Sequence, residues 1–288
     1  MLLATGVLCV SWPFVSDARG LQTAKAQAPE GSFRSCHQTK KSAIQRQVPV
    51  RLFVEKGLSV EDAYTDMSRL RRYFAEYALT FRVESQITVE KGASIEVTQA
   101  NLVAQQQKLA GEQRSKNPVQ AKPQSDLLAL DRSVFELAMK PFERFLHTHD
   151  QPNVPVLNIV FQRTIVSQNS VLHRYFRSMN GLTLSPWHQE SESDAFPFGR
   201  LQTLVDHNPT VFIVHESQRS HRPGDFDALL AHEVGHAFGL SHVMDGKNLM
   251  SQSRKPRCVP VLTENQSRTL LRNMDKLSTV TLPLDQSH

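Results

Sequence analysis

The stretch that decides the fold is His232–His242, HEVGHAFGLSH, in which three histidines and one glutamate occur within eleven residues. The apolar pattern around it predicts a helix from Phe226 to Phe238, and residues four apart on a helix project from the same face. His232 and His236 therefore lie one above the other, close enough for both imidazoles to bind one ion. The opposite side of the helix is predicted to face the core through Phe226, Leu230, Val234 and Ala237.

Gly239 predicts the end of this helix, because glycine tolerates the left-handed backbone conformation that turns the chain back. The reversal allows His242 to act as a third ligand. If the helix continued, His242 would lie too far from the ion. Three neutral imidazoles with an open fourth position are typical of catalytic zinc rather than structural zinc. Glu233 points aside from the histidines and is placed to accept a proton from a water molecule on the metal.

An accidental H-E-x-x-H would arise in roughly one such chain in forty, and the added glycine and third histidine lower this to roughly one in twenty thousand. Chance therefore explains the short motif but not the long one. Other histidines lack such spacing and are predicted to be ordinary surface or core residues, among them His147, His149, His173, His188, His207, His215 and His221.

The stretch resembles the H-E-x-x-H-x-x-G-x-x-H signature of the metzincin zinc endopeptidases. These enzymes also have a methionine in a tight turn after the third histidine, and Met250 follows His242 by eight residues, as in the matrixin branch. The resemblance implies one catalytic zinc ion and a specificity pocket shaped by the loop around residues 244–248. The roles it implies are zinc ligands His232, His236 and His242, general base Glu233, turn glycine Gly239 and turn methionine Met250.

The chain also departs from the family pattern. Gln252 stands where the astacin and serralysin branches have an additional tyrosine ligand, so that ligand is absent. The matrixin latency motif is not seen upstream, and Cys36 in RSCHQ leaves a cysteine switch open. Asp194–Phe198 (DAFPF) resembles the edge strand that pairs with extended substrate in this family, and its proline suits an edge.

Strands and helices alternate along the chain, which predicts a single α/β or α+β domain. The resemblance implies a twisted mixed sheet with an active-site helix, a cleft and a C-terminal helix. Gln- and Lys-rich residues 99–125 are expected to form a partly flexible excursion, and residues 181–200 a long loop. The predicted strands are 48–54, 79–83, 155–161 and 210–214. Another helix is predicted to follow Ser59 as its N-cap and to run to about Ala78. The remaining predicted helices are 126–145, with an interruption at Pro141, and one that begins at Thr263 with a capping box to Gln266.

Residues 1–28 are predicted to be a signal peptide, because an apolar run from Leu2 to Val15 is followed by alanines at A-x-A spacing. Residues 29–47 are interpreted as a leader or short pro-segment. Residues 48–288 are assigned to the catalytic domain, with an insertion at about 92–154. Of the three cysteines, Cys9 lies in the signal, and Cys36 and Cys258 are left either to form one disulfide or to remain as two thiols.

The composition is 40% hydrophobic and 21% charged with a formal net charge of +5, as in ordinary water-soluble domains. The basic residues are scattered, which argues against nucleic acid as a partner. We therefore predict an exported zinc endopeptidase, secreted or periplasmic, that acts on protein or peptide substrates. The alternatives are a zinc hydrolase of another amide, such as a cell-wall peptide, and a non-catalytic zinc-stabilised binding module. The sequence leaves open calcium binding and the oligomeric state.

Overall fold

A computed structural model describes these parts of the 288-residue chain: 44–115, 123–149, 154–173, 179–187, 208–215, 228–251, 261–277 and 281–283. The predicted signal peptide, both mature-chain cysteines (Cys36 and Cys258) and the DAFPF segment at 194–198 lie outside the described residues. None of the helices in the described parts is long and apolar enough to cross a membrane.

The fold is a mixed α/β arrangement built on one six-stranded sheet, as the sequence predicts. Five strands follow the order β2-β1-β3-β5-β4, and β6 pairs with the beginning of β1. The first four strands in that order are parallel, whereas β4 runs antiparallel to β5 at the edge. The strands are β1 Ile44–Glu55, β2 Leu79–Val89, β3 Leu157–Gln162, β4 Gly181–Leu184, β5 Thr210–Val214 and β6 Thr281–Pro283.

Five α-helices accompany the sheet in the described parts of the chain. They are α1 Val60–Phe74, α2 Gln99–Ser115, α3 Pro123–His149, α4 Leu229–Ala237 and α5 Glu264–Met274. Two helices begin with the side-chain cap that the sequence predicts. Ser59 caps α1, and Thr263 forms a capping box with Gln266 at α5. The helix α4, which carries the histidine motif, packs against α1, β5 and β4.

Two apolar cores lie on opposite faces of the sheet, because successive strand side chains alternate between its faces. On β5, Val211 and Ile213 join the core that contains α1, α4 and α5, whereas Phe212 and Val214 join the core that contains α3. Burial on both faces explains why β3 and β5 are nearly continuous apolar runs. On β4 the same alternation directs Leu182 and Leu184 into the α3 core.

Several element boundaries differ from the sequence predictions. The expected flexible excursion contains helix α2, and its Gln, Lys and Ala residues are all good helix formers. The helix α3 continues through Pro141 to His149 without the predicted interruption. β1 begins at Ile44, inside the segment interpreted as a leader, because its first residues pair with β6. The predicted long loop begins with strand β4.

Candidate metal centre

The histidine helix α4 is shorter and more deeply buried than the sequence predicts. It begins at Leu229 after Ala228, which provides no side-chain cap. Phe226, the predicted start and a predicted core residue, lies outside the described residues. Leu230, Val234 and Ala237 pack in the core, as predicted. The polar side of the helix is buried as well, so the polar groups on that side must find partners inside the protein.

The imidazoles of His232, His236 and His242 meet at one point. Their Nε2 atoms lie 3.1 Å apart between His232 and His236, 3.2 Å between His232 and His242, and 3.0 Å between His236 and His242. Two nitrogens that bind one tetrahedral zinc ion at its usual bond length lie about 3.3 Å apart. Three lone pairs directed at one point repel each other unless a cation lies between them, so the trio fits a single zinc ion.

Hydrogen bonds orient two of these rings. The Nδ1 of His232 donates to the carbonyl oxygen of Leu249 at 2.8 Å, and the Nδ1 of His236 donates to that of Leu240 at 2.7 Å. A proton on Nδ1 leaves the lone pair on Nε2, which is the tautomer required for metal binding through Nε2. The sequence analysis missed both partners, because every residue has a carbonyl oxygen and side-chain identity does not show where it points.

The turn at Gly239 brings the third histidine to the site. Its φ angle is +82°, in the left-handed region that the sequence predicts for this glycine. The amide of Gly239 donates to the carbonyl of His236, and that of Leu240 donates to Gly235, which closes the helix end. A Cβ atom on Gly239 would lie 2.7 Å from the carbonyl oxygen of Trp187, so space as well as conformation requires glycine here.

The C-terminal helix holds this turn in place. Asn273 of α5 is buried, and its Nδ2 donates to the carbonyl oxygen of Phe238 at 2.9 Å. The ring of Phe238 stacks on Trp187 with 5.9 Å between centroids and 11° between planes. The Nζ of Lys276 lies 5.5 Å from the centre of the Trp187 ring. The contacts of Asn273 and Trp187 with Phe238 hold the C-terminal end of α4 in place.

Met250 lies beneath α4 and is fully buried. A Cβ atom on Gly235 would overlap the sulfur of Met250, so the glycine inside the helix makes room for the methionine. The turn that carries Met250 is closed by Asn248, whose Oδ1 accepts from the amide of Met250 at 2.8 Å. The Nδ2 of Asn248 donates to Gln266 in the capping box of α5 at 2.8 Å, which ties the turn to that helix. The sequence did not reveal these roles of Gly235 and Asn248.

Glu233 turns from the histidines towards the edge strand β4. It is 1% exposed, and the hydroxyl of Thr183 lies 2.7 Å from its Oε2. A Cβ atom on Gly181 would overlap its Oε1. Thr183 and Gly181 were also missed in the sequence, although small and polar residues at 181, 183 and 185 alternate there with Leu182 and Leu184.

The remaining described histidines do not join the trio. His215 is buried, and its Nε2 donates to the carbonyl oxygen of Ser59 at 3.1 Å. His149 packs against Phe53 and Phe145 at the end of α3, and burial there lowers the pKa of its imidazole. Within the described residues, the trio is the one group of potential ligands close enough to hold a metal ion.

Comparison with known proteins finds distant structural similarity. No protein-family model matches the chain, and no curated protein matches it. Metalloproteinase-II from Bacteroides fragilis is similar over 85% of this chain and 59% of its own, with a TM-score of 0.42. An archaemetzincin from Methanopyrus kandleri (TM-score 0.38) is similar over 80% and 96% of the two chains. A zinc-dependent peptidase from Methanocorpusculum labreanum (TM-score 0.32) is similar over 77% and 99%. All three are 13% identical to this chain, and similarities of this size do not assign an activity.

Proposed function

We propose that the chain is an exported zinc-dependent endopeptidase. One observation carries this proposal: three Nε2 atoms from His232, His236 and His242 converge within 3.2 Å of one another, and the buried Glu233 follows His232 on the same helix. A site with three protein ligands keeps a fourth position for water or substrate, whereas a structural zinc site is closed by a fourth protein ligand. A carboxylate that is not itself a ligand serves as a base beside such a position.

The three histidines would hold the zinc ion through Nε2, since these three atoms converge within 3.2 Å of one another. When bound there, zinc supplies a Lewis acid that polarises a carbonyl group and acidifies water. The carbonyls of Leu249 and Leu240 keep His232 and His236 in the required tautomer. Met250 packs against Gly235 beneath α4 and so supports the helix that carries His232 and His236.

Glu233 supplies the proton transfer that amide hydrolysis requires. Its carboxylate takes a proton from the attacking water as the new bond forms between oxygen and the carbonyl carbon. It returns the proton to the amide nitrogen as the carbon–nitrogen bond breaks, so the amine leaves in neutral form. A positioned acid–base group of this kind contributes about 10²–10⁴-fold to a rate.

Strand β4 is the place for an extended substrate to bind. Among the described strands, β5 is the one that pairs with β4, and an extended peptide would pair with the backbone groups on the other edge of β4. β4 contacts α4, so a peptide bound on that edge would lie close to the histidine helix. The DAFPF segment at 194–198, which resembles the substrate-pairing edge strand, lies outside the described residues and stays a prediction.

Replacement of the base tests the proposed chemistry. Glu233→Gln is expected to retain zinc and to lower hydrolysis of a generic protein substrate by about 10²–10⁴-fold. The matched control is Glu90→Gln, an exposed carboxylate on the surface that pairs with Lys56. Zinc content and cleavage should be measured on the same samples, with and without a chelator. Full activity in the Glu233→Gln variant would contradict the mechanism.

Substrate profiling separates the endopeptidase from the alternatives. Cleavage inside the chains of a peptide library supports the proposal, and cleavage confined to cell-wall peptides supports the other hydrolase. A protein that binds zinc and cleaves neither substrate would be a zinc-stabilised binding module. The position of the cleaved bond, read by mass spectrometry, also identifies the side chain that the specificity pocket accepts.

Export is part of the same proposal and is supported by the sequence of residues 1–28. The protein should be found outside the cytoplasm and should begin after Ala26 or Ala28, where the two A-x-A spacings end. Expression in a secreting bacterial host, followed by N-terminal sequencing, measures this directly. A product that remains in the cytoplasm with residues 1–28 attached would contradict it.

A further inference from the structure

The face of strand β4 that meets the histidine helix has an unusual composition. Gly181 and Thr183 are two residues apart and therefore lie on the same face, opposite Leu182 and Leu184. Ser185 continues this face and donates from its hydroxyl to the carbonyl oxygen of Ala237 at 2.8 Å. The side of β4 towards α4 thus has no bulky side chain at these three positions.

We infer that Thr183 is a positioning residue for Glu233: its hydroxyl fixes the Glu233 carboxylate in the orientation used for proton transfer. The inference rests on the proposed function and adds a residue to the machinery of that site. The Oγ1 of Thr183 lies 2.7 Å from Oε2 of Glu233 and 3.1 Å from the main-chain oxygen of the same residue. A hydroxyl has one proton to donate, and the shorter contact, to the carboxylate, is the stronger bond.

Rigid surroundings make Thr183 suitable for this role. Its backbone is held in the sheet by pairing with Val211 of β5. Threonine is branched at Cβ, so few side-chain rotamers are accessible to it. The hydroxyl is therefore fixed relative to the sheet, and the carboxylate that accepts from it is fixed relative to the same edge strand.

The two carboxylate oxygens of Glu233 have different surroundings. Oε2 is engaged by Thr183, whereas Oε1 lies where a Cβ atom on Gly181 would be. Gly181 thus leaves space for Oε1, and Thr183 donates a hydrogen bond to Oε2. The carboxylate therefore cannot rotate freely about the Cγ–Cδ bond. Because a displacement of about 1 Å in a reacting group can reduce a rate by about 10²-fold, loss of this orientation should lower kcat.

Three variants test the inference. Thr183→Val keeps the shape of the side chain and removes the hydroxyl, and Thr183→Ser restores the hydroxyl. Ser185→Ala is the matched control, because it removes the bond to Ala237 of α4 and the bond from the amide of Trp187, neither of which reaches Glu233. Steady-state kinetics on a cleaved peptide and zinc content should be measured for all three.

We expect Thr183→Val to lower kcat at least tenfold with KM and zinc content unchanged. Thr183→Ser should recover kcat to within about threefold of the native protein, and Ser185→Ala should lose stability without a tenfold loss of kcat. Equal kcat in Thr183→Val and the native protein would overturn the inference. Equal losses in Thr183→Val and Ser185→Ala would also overturn it, because that result assigns Thr183 a merely structural role.

A second measurement needs no activity. In the metal-free protein, Thr183→Val should lower the melting temperature by about 2–4 °C. The same change should have less than half that effect in a Glu233→Met background, because the hydrogen-bond acceptor is already gone. Additive shifts would show that the hydroxyl does not act on the carboxylate, and would overturn the inference. If the shifts are coupled but the native protein shows no zinc-dependent cleavage, the proposed function fails, and the catalytic role of Thr183 fails with it.

Discussion

Gly235 leaves the space that the sulfur of Met250 occupies, because a Cβ atom on Gly235 would overlap that sulfur. The two residues are fifteen positions apart, and one lies between the two helical histidines while the other lies in the turn below them. The carbonyl of Leu249, next to Met250, accepts from His232. The methionine turn and the histidine helix therefore form one packed unit.

Gly235→Ala should destabilise the protein, although this substitution within a helix ordinarily stabilises by about 1 kcal/mol. Met250 is fully buried, so its sulfur cannot move out into solvent to make room for the methyl group. Overpacking of this kind costs about 1–3 kcal/mol. Denaturant unfolding of the metal-free protein measures the loss. The double variant Gly235→Ala/Met250→Ala should lose less than the sum of the single losses, and a Gly235→Ala protein as stable as the native one would contradict this packing.

Gly239→Ala should weaken zinc binding, and Gly57→Ala is its matched control. Both glycines have φ angles of +82°, so both substitutions incur the same left-handed strain of about 1–2 kcal/mol. At Gly57 the new methyl group would meet the guanidinium of Arg163, which has room to move at the surface. At Gly239 it would meet the main-chain oxygen of Trp187. Zinc titration of both variants should show weakened affinity in Gly239→Ala alone; equal affinities would contradict the role of this turn.

Zinc should stabilise the native protein against heat, and the effect should depend on His242. A ligand present at about 100 times its Kd stabilises by about 2.7 kcal/mol, which corresponds to a rise of at least about 5 °C in Tm for a chain of this size. His242→Ala should reduce the rise sharply. His147→Ala, an exposed histidine on α3, should leave it unchanged. Differential scanning calorimetry with and without zinc provides the measurement, and an equal rise in both variants would exclude His242 as a ligand.

Tyr77 should make the protein sensitive to alkaline pH. Its hydroxyl oxygen accepts from the amide of Leu262 at 2.9 Å, and burial raises the pKa of Tyr77 to about 12 from 10.0. Because the folded-state pKa lies above the unfolded one, neutral Tyr77 stabilises the fold fully below pH 10. That contribution, about 2–3 kcal/mol, is lost as the pH rises from about 10 to about 12.

Tyr77→Phe is the test of this dependence. At neutral pH the variant should be less stable by about 1–3 kcal/mol, because the buried amide of Leu262 loses its acceptor. The difference in unfolding free energy between the variant and the native protein should then shrink as the pH rises above 10. Urea unfolding at a series of pH values measures it, and a constant difference up to pH 12 would show that the ionisation of Tyr77 does not affect stability.

Local patterns predicted much of the fold. Ser59 and Thr263 cap their helices as their spacing indicates, because a capping bond joins residues only three positions apart. The continuous apolar runs of β3 and β5 identified them as buried strands. Strand β4 was not predicted, because a four-residue segment that begins with glycine is too short for its pattern to distinguish a strand from a loop. Its conformation depends on pairing with β5, which is more than twenty residues away.

The motif from His232 to His242 contains by itself the information for a histidine pair on one helix face and for a reversal at Gly239. Both features depend on backbone geometry within a few residues, and such geometry can be derived from residue spacing. Only the tertiary structure decided what surrounds this motif. The carbonyl of Leu249, the hydroxyl of Thr183 and the sulfur of Met250 reach the helix from segments distant in sequence, and their positions follow from the packing of the whole sheet.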